Sequence, residues 1–183
     1  MPNPTPFLLG CLLAVCTQTS LALELQSSDI SNQVRMKKQQ EYIGYGCEGG
    51  NTSPALRWKD IPSGTKSFAL TVHDPDAPRD GGWWHWVVFN IPRDTRSLAA
   101  NAGDPASGLM PEQAVQSKTD FGTQGYGGPC PPKGHGVHHY PFTLYALDVE
   151  TLPLDKNASP TQVFDLINKH ALGESRITGL YSR

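Results

Sequence analysis

Alternating and continuous apolar runs divide the chain into short extended segments. Residues 66–74, KSFALTVHD, alternate in hydrophobicity and end in Asp74 on the face of Phe68 and Val72, which is the period of a β-strand. Residues 83–92, WWHWVVFNIP, are apolar at nearly every position. That pattern indicates a strand covered on both faces. The two runs therefore predict a buried sheet in which Asp74 closes an apolar face.

A third strand is predicted over residues 138–149, HHYPFTLYALDV, with His138 and Tyr140 on one face. Pro141 cannot donate a ladder hydrogen bond, so it predicts an edge position or a bulge. Weaker alternation indicates two more strands, LELQSSDI near the start and SRITGLYSR at the end.

One helix is well marked. Ser159 is the predicted N-cap, Pro160 occupies the first helical position, and Gln162 completes a capping-box spacing. The apolar stripe consists of Val163, Phe164, Leu166 and Ile167. Gly173 is predicted to stop the helix. Several strands without a βαβ rhythm predict a mostly β fold: a two-sheet antiparallel β-sandwich with one or two short peripheral helices.

The segment 93–124 is long, polar and weakly periodic. Such a length is uncommon in a loop without a role. Three interpretations stay open: a lid, a crossing of the sandwich, or a solvated excursion.

Composition narrows the function classes. A chain of 183 residues suits one domain, and its formal net charge of −2 argues against nucleic acid or an anionic membrane surface as partner. No apolar run reaches the roughly 20 residues needed to span a bilayer. The 16 prolines and 18 glycines indicate many turns and short strands.

The N-terminus is predicted to be a secretory signal peptide, residues 1–22, which leaves a domain of residues 23–183 in the periplasm or outside the cell. Phe7 to Val15 form an apolar run, and Ser20 and Ala22 are small residues suited to a cleavage site. A short buried segment is the alternative. A lipid anchor at Cys16 is disfavoured because Val15 is not small.

Cleavage would leave two cysteines, Cys47 and Cys130, in Gly-rich segments. In an oxidising compartment they could form one disulfide between two loops, or remain two thiols. The residues alone leave both alternatives open.

Four polar residues could converge if the three strong strands are neighbours: Asp74, His85, His138 and Tyr140. Strict alternation places His85 on one face with Val87. A lone histidine there is ordinarily a core residue bonded to a carbonyl. An acid, two imidazoles and a phenol together instead indicate a pocket that binds an anion, in which the acid orients an imidazole donor.

Ordered motifs carry a family resemblance. The segments DPDAP, WHWVVFN and GPCPPKGHGVHHY, together with CEGGNTSPALRW and GLYSR, resemble the phosphatidylethanolamine-binding protein family in its bacterial Raf-kinase-inhibitor-like branch. The resemblance covers nearly all of residues 24–183.

The resemblance implies a two-sheet β-fold with a small anion pocket that opens at the surface. The implied pocket residues are Asp74, Asp76, His85, Tyr126, Gly127, Gly128, His138 and Tyr140. Asp74 would orient, His85 and His138 would donate, and Tyr140 with the Gly127–Gly128 backbone would complete the rim. Pro129 stands where animal members have a Gly-Ser-Gly stretch and removes one backbone donor. Because of this difference, the phosphate-ester preference and the kinase inhibition of the animal members are less strongly implied for this chain.

The expected function is binding of a small anion, a phosphate ester or carboxylate, without catalysis, metal or cofactor; a protein partner and a homodimer stay open. One alternative is a metal-dependent hydrolase using spare ligands such as His73, His135 and His139, although no HExxH or GxSxG spacing is present. The other is a secreted inhibitor or effector that acts through segment 93–124. Titrating imidazoles would make anion binding tighter as pH falls through roughly 6.5.

Overall fold

The computed structural model describes residues 22–183, in which eleven strands and one helix are found. The predicted signal peptide therefore lies almost entirely outside the described residues. In chain order the elements are β1 (Glu24–Ser27), β2 (Val34–Arg35), β3 (Ile43–Gly44), β4 (Cys47–Glu48), β5 (Leu56–Lys59), β6 (Ser67–Asp74), β7 (Trp83–Pro92), β8 (Ser97–Leu98), β9 (Val115–Gln116), β10 (His138–Leu147), α1 (Pro160–His170) and β11 (Ala171–Tyr181).

Two sheets form the sandwich, as predicted. The larger has six strands in the order β2-β11-β10-β6-β7-β9, and the smaller has three in the order β1-β5-β8. A separate two-stranded ribbon joins β3 to β4. Neighbouring strands are antiparallel, apart from the parallel pair of β2 and β11.

The larger sheet is buried on both faces, which explains the apolar runs. On one face Phe68 and Leu70 pack with Trp58 and Leu25 from the smaller sheet. On the other face Ala69 packs in a second cluster whose helical members are Val163 and Ile167. Each of β6 and β7 therefore contributes side chains to two cores.

The position of Pro141 differs from the prediction. Strand β10 lies between β11 and β6 in the middle of the larger sheet, so Pro141 is not on an edge strand. No bulge occurs at Pro141 either, because the register shift between β10 and β11 lies between Ala146 and Leu147. The ladder from β10 to β6 begins at Phe142, one residue after Pro141. The missing N–H is tolerated because the proline pairs only with β11, opposite Thr178.

Helix α1 has the predicted start and a different end. The Ser159 side chain accepts from the Gln162 backbone N–H, and the reciprocal bond of a capping box is also present. The helix ends at His170, and Ala171 is already extended at φ −69° and ψ 122°. Gly173 lies inside β11 and does not stop the helix. Pairing of Ala171 with Leu147 ends it instead.

The segment 93–124 crosses from one sheet to the other. It contains β8, which pairs with β5, and β9, which pairs with β7. Ala102 and Ser117 within it are fully buried. Of the three interpretations, the crossing of the sandwich is the one found. No helix in residues 22–183 is long and apolar enough to cross a membrane.

Candidate functional site

A cavity of about 240 Å³ opens where three strands reach the same edge of the larger sheet. Asp74 ends β6, Trp83 begins β7 and His138 begins β10. Because the three strands are antiparallel neighbours, the end of one meets the starts of the other two. This is why Asp74, His85, His138 and Tyr140, far apart in sequence, share the cavity wall.

A β-bulge turns His85 toward this cavity. Val72 is opposite Trp86 while His73 is opposite Trp84, so His85 is an extra residue in β7. A bulge interrupts strict alternation and re-aims a side chain. The prediction that His85 shares a face with Val87 is therefore wrong: Val87 joins the helix-side cluster, whereas the His85 ring lies 5.1 Å from that of Tyr140, centroid to centroid.

His85 is buried and held in one tautomer. The distance from its Nδ1 to the Gly127 carbonyl oxygen is 2.7 Å, and a carbonyl can only accept, so Nδ1 carries the hydrogen. Burial lowers the pKa of His85 to about 4, although the Gly127 and Gly128 carbonyls and Asp74 oppose the shift. A neutral ring then leaves Nε2 as an acceptor.

The low pKa of His85 bears on the expected pH dependence of anion binding. Tightening of anion binding near pH 6.5 requires an imidazole that gains a proton there. Because the pKa of His85 is depressed to about 4, His85 stays neutral through the range in which an ordinary histidine titrates. Its protonation cannot drive anion binding around neutral pH.

His138 is fully occupied by neighbouring side chains. Its Nδ1 donates to Asp74 Oδ2 over 2.7 Å, and its Nε2 lies 2.7 Å from His135 Nδ1. In the neutral imidazole with its proton on Nδ1, Nε2 accepts from the His135 N–H. Asp74 therefore orients His138. Both ring nitrogens of His138 are engaged by other side chains, so neither is free to donate to a ligand, which differs from the prediction.

Tyr140 forms the wall between the two histidines. Its hydroxyl is buried and makes no hydrogen bond with any residue in the described part of the chain. Burial, with the nearby Asp74 carboxylate, raises the pKa of Tyr140 far above its usual value. The phenol is therefore neutral and can donate.

Four of the implied pocket residues lie outside the cavity wall. Tyr126 is a core residue whose hydroxyl donates to the Gln40 carbonyl oxygen. The Asp76 carboxylate accepts from the backbone and ring of His139 at the surface. Hydrogen bonds from His139 lower the pKa of Asp76, although partial burial would raise it.

Gly127 and Gly128 lie outside the cavity wall, and Gly127 supports one of its residues, His85, by a hydrogen bond. The Gly127 N–H donates to the His85 carbonyl, and the Gly128 N–H donates to Asn51 Oδ1. Both donors are thus used internally, which corrects the prediction that they face a ligand. A Cβ at Gly128 would lie 1.9 Å from the Gln40 carbonyl oxygen. The glycines permit close backbone packing that fixes the His85 tautomer.

The sequence reasoning missed a cation and several aromatic walls. Arg79, just after DPDAP, lines the cavity with Trp83, Phe121 and Tyr45. Its guanidinium lies 5.2 Å from the Trp83 ring centroid and 3.3 Å from Asp120. The sequence did contain a signal for Arg79, because a basic residue directly follows the acidic DPDAP turn. Phe121 and Tyr45 gave none, because they come from polar loops without periodicity.

A disulfide between Cys47 and Cys130 joins two loops at the cavity, so the bonded alternative is the one found. Cys130 lines the cavity, and the adjoining ribbon carries Tyr45. Arg183 strengthens the same junction by donating to the carbonyls of Gly46 and Pro131. One wall of the cavity thus depends on a covalent link between distant segments.

Side chains that could ligate a metal ion are not grouped in the part of the chain that the structure describes. Among residues 22–183, no three His, Cys, Asp or Glu side chains are grouped so as to hold an ion. The spare histidines are separately engaged: His73 Nε2 donates to Gly81 and His139 pairs with Asp76.

The fold is a β-sandwich with a small cavity at the edge of its central strands, and buried histidines and aromatic rings form the cavity wall. The family model described as phosphatidylethanolamine-binding protein matches residues 26–182. The chain belongs to the phosphatidylethanolamine-binding protein family, as the sequence motifs predicted.

Bacterial relatives support the branch. UPF0098 protein YbcL of Escherichia coli is 45% identical over 160 residues, which cover 87% of each chain. UPF0098 protein YbhB of the same organism is 44% identical over 162 residues, covering 87% of this chain and all of YbhB. The crystal structure of YbcL, described as a new member of the mammalian PEBP family, superposes with a TM-score of 0.87 and covers 89% of this chain and 99% of that one.

Proposed function

We propose that the protein binds a small anionic head group, a phosphate ester or a carboxylate, in this cavity and performs no chemistry on it. The observation that carries the proposal is one cavity that holds a buried histidine nitrogen and a guanidinium. The Arg79 guanidinium at the half-exposed rim offers a positive charge to the anion, and the neutral His85 ring offers Nε2 as an acceptor for a hydrogen that the head group carries. Aromatic walls exclude water from the remainder and favour a compact organic body.

Size limits the ligand. Sites for drug-sized molecules occupy roughly 300–1,000 Å³, so about 240 Å³ accepts a head group and little more. Any longer chain attached to the head group would leave through the opening, past Tyr45, which is 67% exposed.

The wall residues support a binding role over catalysis. A histidine whose pKa lies near 4 is a weak general base at neutral pH. The one cysteine in the wall, Cys130, is oxidised, and Asp74 is committed to His138. Nucleophilic catalysis requires an activated group adjacent to a base, and this wall offers none.

A periplasmic or secreted location belongs to the same proposal. Its support is the disulfide, because such bonds persist in oxidising compartments. A cut after Ala22 would leave Leu23, the first buried core residue, at the start of the domain.

Calorimetric titration of the purified protein with phosphoethanolamine and with acetate tests the proposal. We expect binding without added metal, and a loss of about 5- to 150-fold in the affinity for phosphoethanolamine in His85→Ala, because about 1–3 kcal/mol is lost with a buried hydrogen-bond partner. His170→Ala is the matched control, since His170 pairs with Asp148 beside the helix. Binding that requires zinc would instead favour the hydrolase, and absence of binding would overturn the proposal.

A further inference from the structure

The tautomer of His85 decides what the cavity can recognise. Its Nδ1 hydrogen is committed to the Gly127 carbonyl, 2.7 Å away. The Gly127 carbonyl lies in the same peptide plane as the Gly128 N–H, which donates to Asn51 Oδ1 over 2.8 Å, so the carbonyl cannot turn away without breaking that bond. The Gly127 N–H also donates to the His85 carbonyl over 2.8 Å, so His85 and Gly127 are joined by a pair of hydrogen bonds. His85 lines the cavity, and within residues 22–183 the hydrogen bond of its ring is the one from Nδ1 to Gly127, which leaves Nε2 available.

We propose that the cavity selects a phosphate monoester in its monoanionic form, whose P–OH donates to His85 Nε2, over phosphate diesters and sulfate esters. The inference rests on the proposed anion site and specifies its ligand class. An anion oxygen without a hydrogen would meet the Nε2 lone pair as one acceptor against another. A monoanionic monoester supplies the missing hydrogen and keeps ionised oxygens for a cation.

Arg79 supplies that cation. Its guanidinium is held over Trp83 and near Asp120 at the wall of the same small cavity. Guanidinium groups match phosphate oxygens well because their N–H groups form a planar fork. The ligand would therefore lie between a donor at the rim and an acceptor at the base.

The neighbouring charges favour a proton-bearing ligand as well. Asp74 from β6 lies in the same wall, and its carboxylate repels a second negative charge on the ligand. The other titratable groups near His85 are His73 from β6, and Tyr140 and His138 from β10. Burial keeps His85 neutral with a pKa of about 4, which makes Nε2 an acceptor rather than a donor.

Calorimetric titration of the full chain near pH 5 with three small ligands tests whether the cavity requires a P–OH. The ligands are methyl phosphate, methyl sulfate and dimethyl phosphate. Methyl sulfate has the shape and single charge of monoanionic methyl phosphate but carries no O–H group. We expect methyl phosphate to bind about 10- to 100-fold more tightly than either of the others, since a buried acceptor left unpaired is costly. Its affinity should fall about tenfold per pH unit above roughly pH 6, where the monoester loses its second proton.

Controls keep the two proposals distinguishable. The pH profile of methyl sulfate reports titration of the protein alone, because that ligand has no proton to lose. In His85→Gln an amide can donate or accept, so the ratio of the affinities for methyl phosphate and methyl sulfate should fall toward one. Equal binding of methyl sulfate and methyl phosphate by the unaltered protein would overturn the inference and leave the anion site standing. Binding of none of the three would overturn the anion site itself.

Discussion

Replacement of Asp74 by alanine should lower the free energy of unfolding by about 3–5 kcal/mol, the usual cost of removing one partner from a buried polar pair. Asp74 and His138 are both buried, with side chains 4% and 2% exposed. Without the carboxylate, the His138 Nδ1–H and the Asp76 backbone N–H, which donates to Asp74 Oδ1, lose their acceptor. Denaturant unfolding of Asp74→Ala followed by fluorescence measures the loss.

The same turn provides a matched control. Asp76 also pairs with a histidine, His139, but the two side chains are 38% and 45% exposed. Water replaces an exposed partner, so Asp76→Ala should cost less than about 1 kcal/mol. Equal losses in the two variants would show that burial of the Asp74–His138 pair does not control its contribution.

The second large effect concerns the disulfide. Cys47 and Cys130 are 83 residues apart in sequence, and closing a loop of that length restricts the unfolded chain. The chain-entropy model assigns about 4.5 kcal/mol to such a link. The double variant Cys47→Ser, Cys130→Ser should therefore melt roughly 10 °C lower than the unaltered protein.

Thermal melting with and without reductant checks this expectation. Reductant should lower the melting temperature of the unaltered protein to that of the double variant, and it should leave the double variant unchanged. A melting temperature that does not respond to either treatment would mean that Glu41 and Arg183 hold the loops alone. Glu41 accepts from Lys38, Glu48 and Tyr181.

The strands were predictable where apolar side chains reach both cores. Residues 66–74, 83–92 and 138–149 are rich in apolar side chains because the larger sheet is covered on both faces. The strand ends at the site were also predictable, because polar residues stand there: Asp74 ends the first segment and His138 begins the third. That is why Asp74 and His138 could be assigned to one site before the strand order was known.

Backbone irregularities were not predictable from alternation. A bulge adds one residue to β7 at His85 and leaves no mark in composition, so the face of His85 was assigned wrongly. Gly173 was predicted to end the helix, but the helix ends earlier because β11 pairs with β10 from Ala171 onward. Hydrogen bonds of Gly127 and Gly128 to partners far along the chain likewise depend on tertiary structure alone.

The position of Trp83 has an optical consequence. Of the four tryptophans, Trp58 and Trp86 are buried in the core between the sheets, and Trp84 packs on Phe164 of the helix. Only Trp83 lines the cavity, with the Arg79 guanidinium above its ring. A ligand that draws Arg79 away changes the surroundings of one indole and leaves three unaltered. The emission spectrum of the unlabelled protein is therefore a direct signal of occupancy.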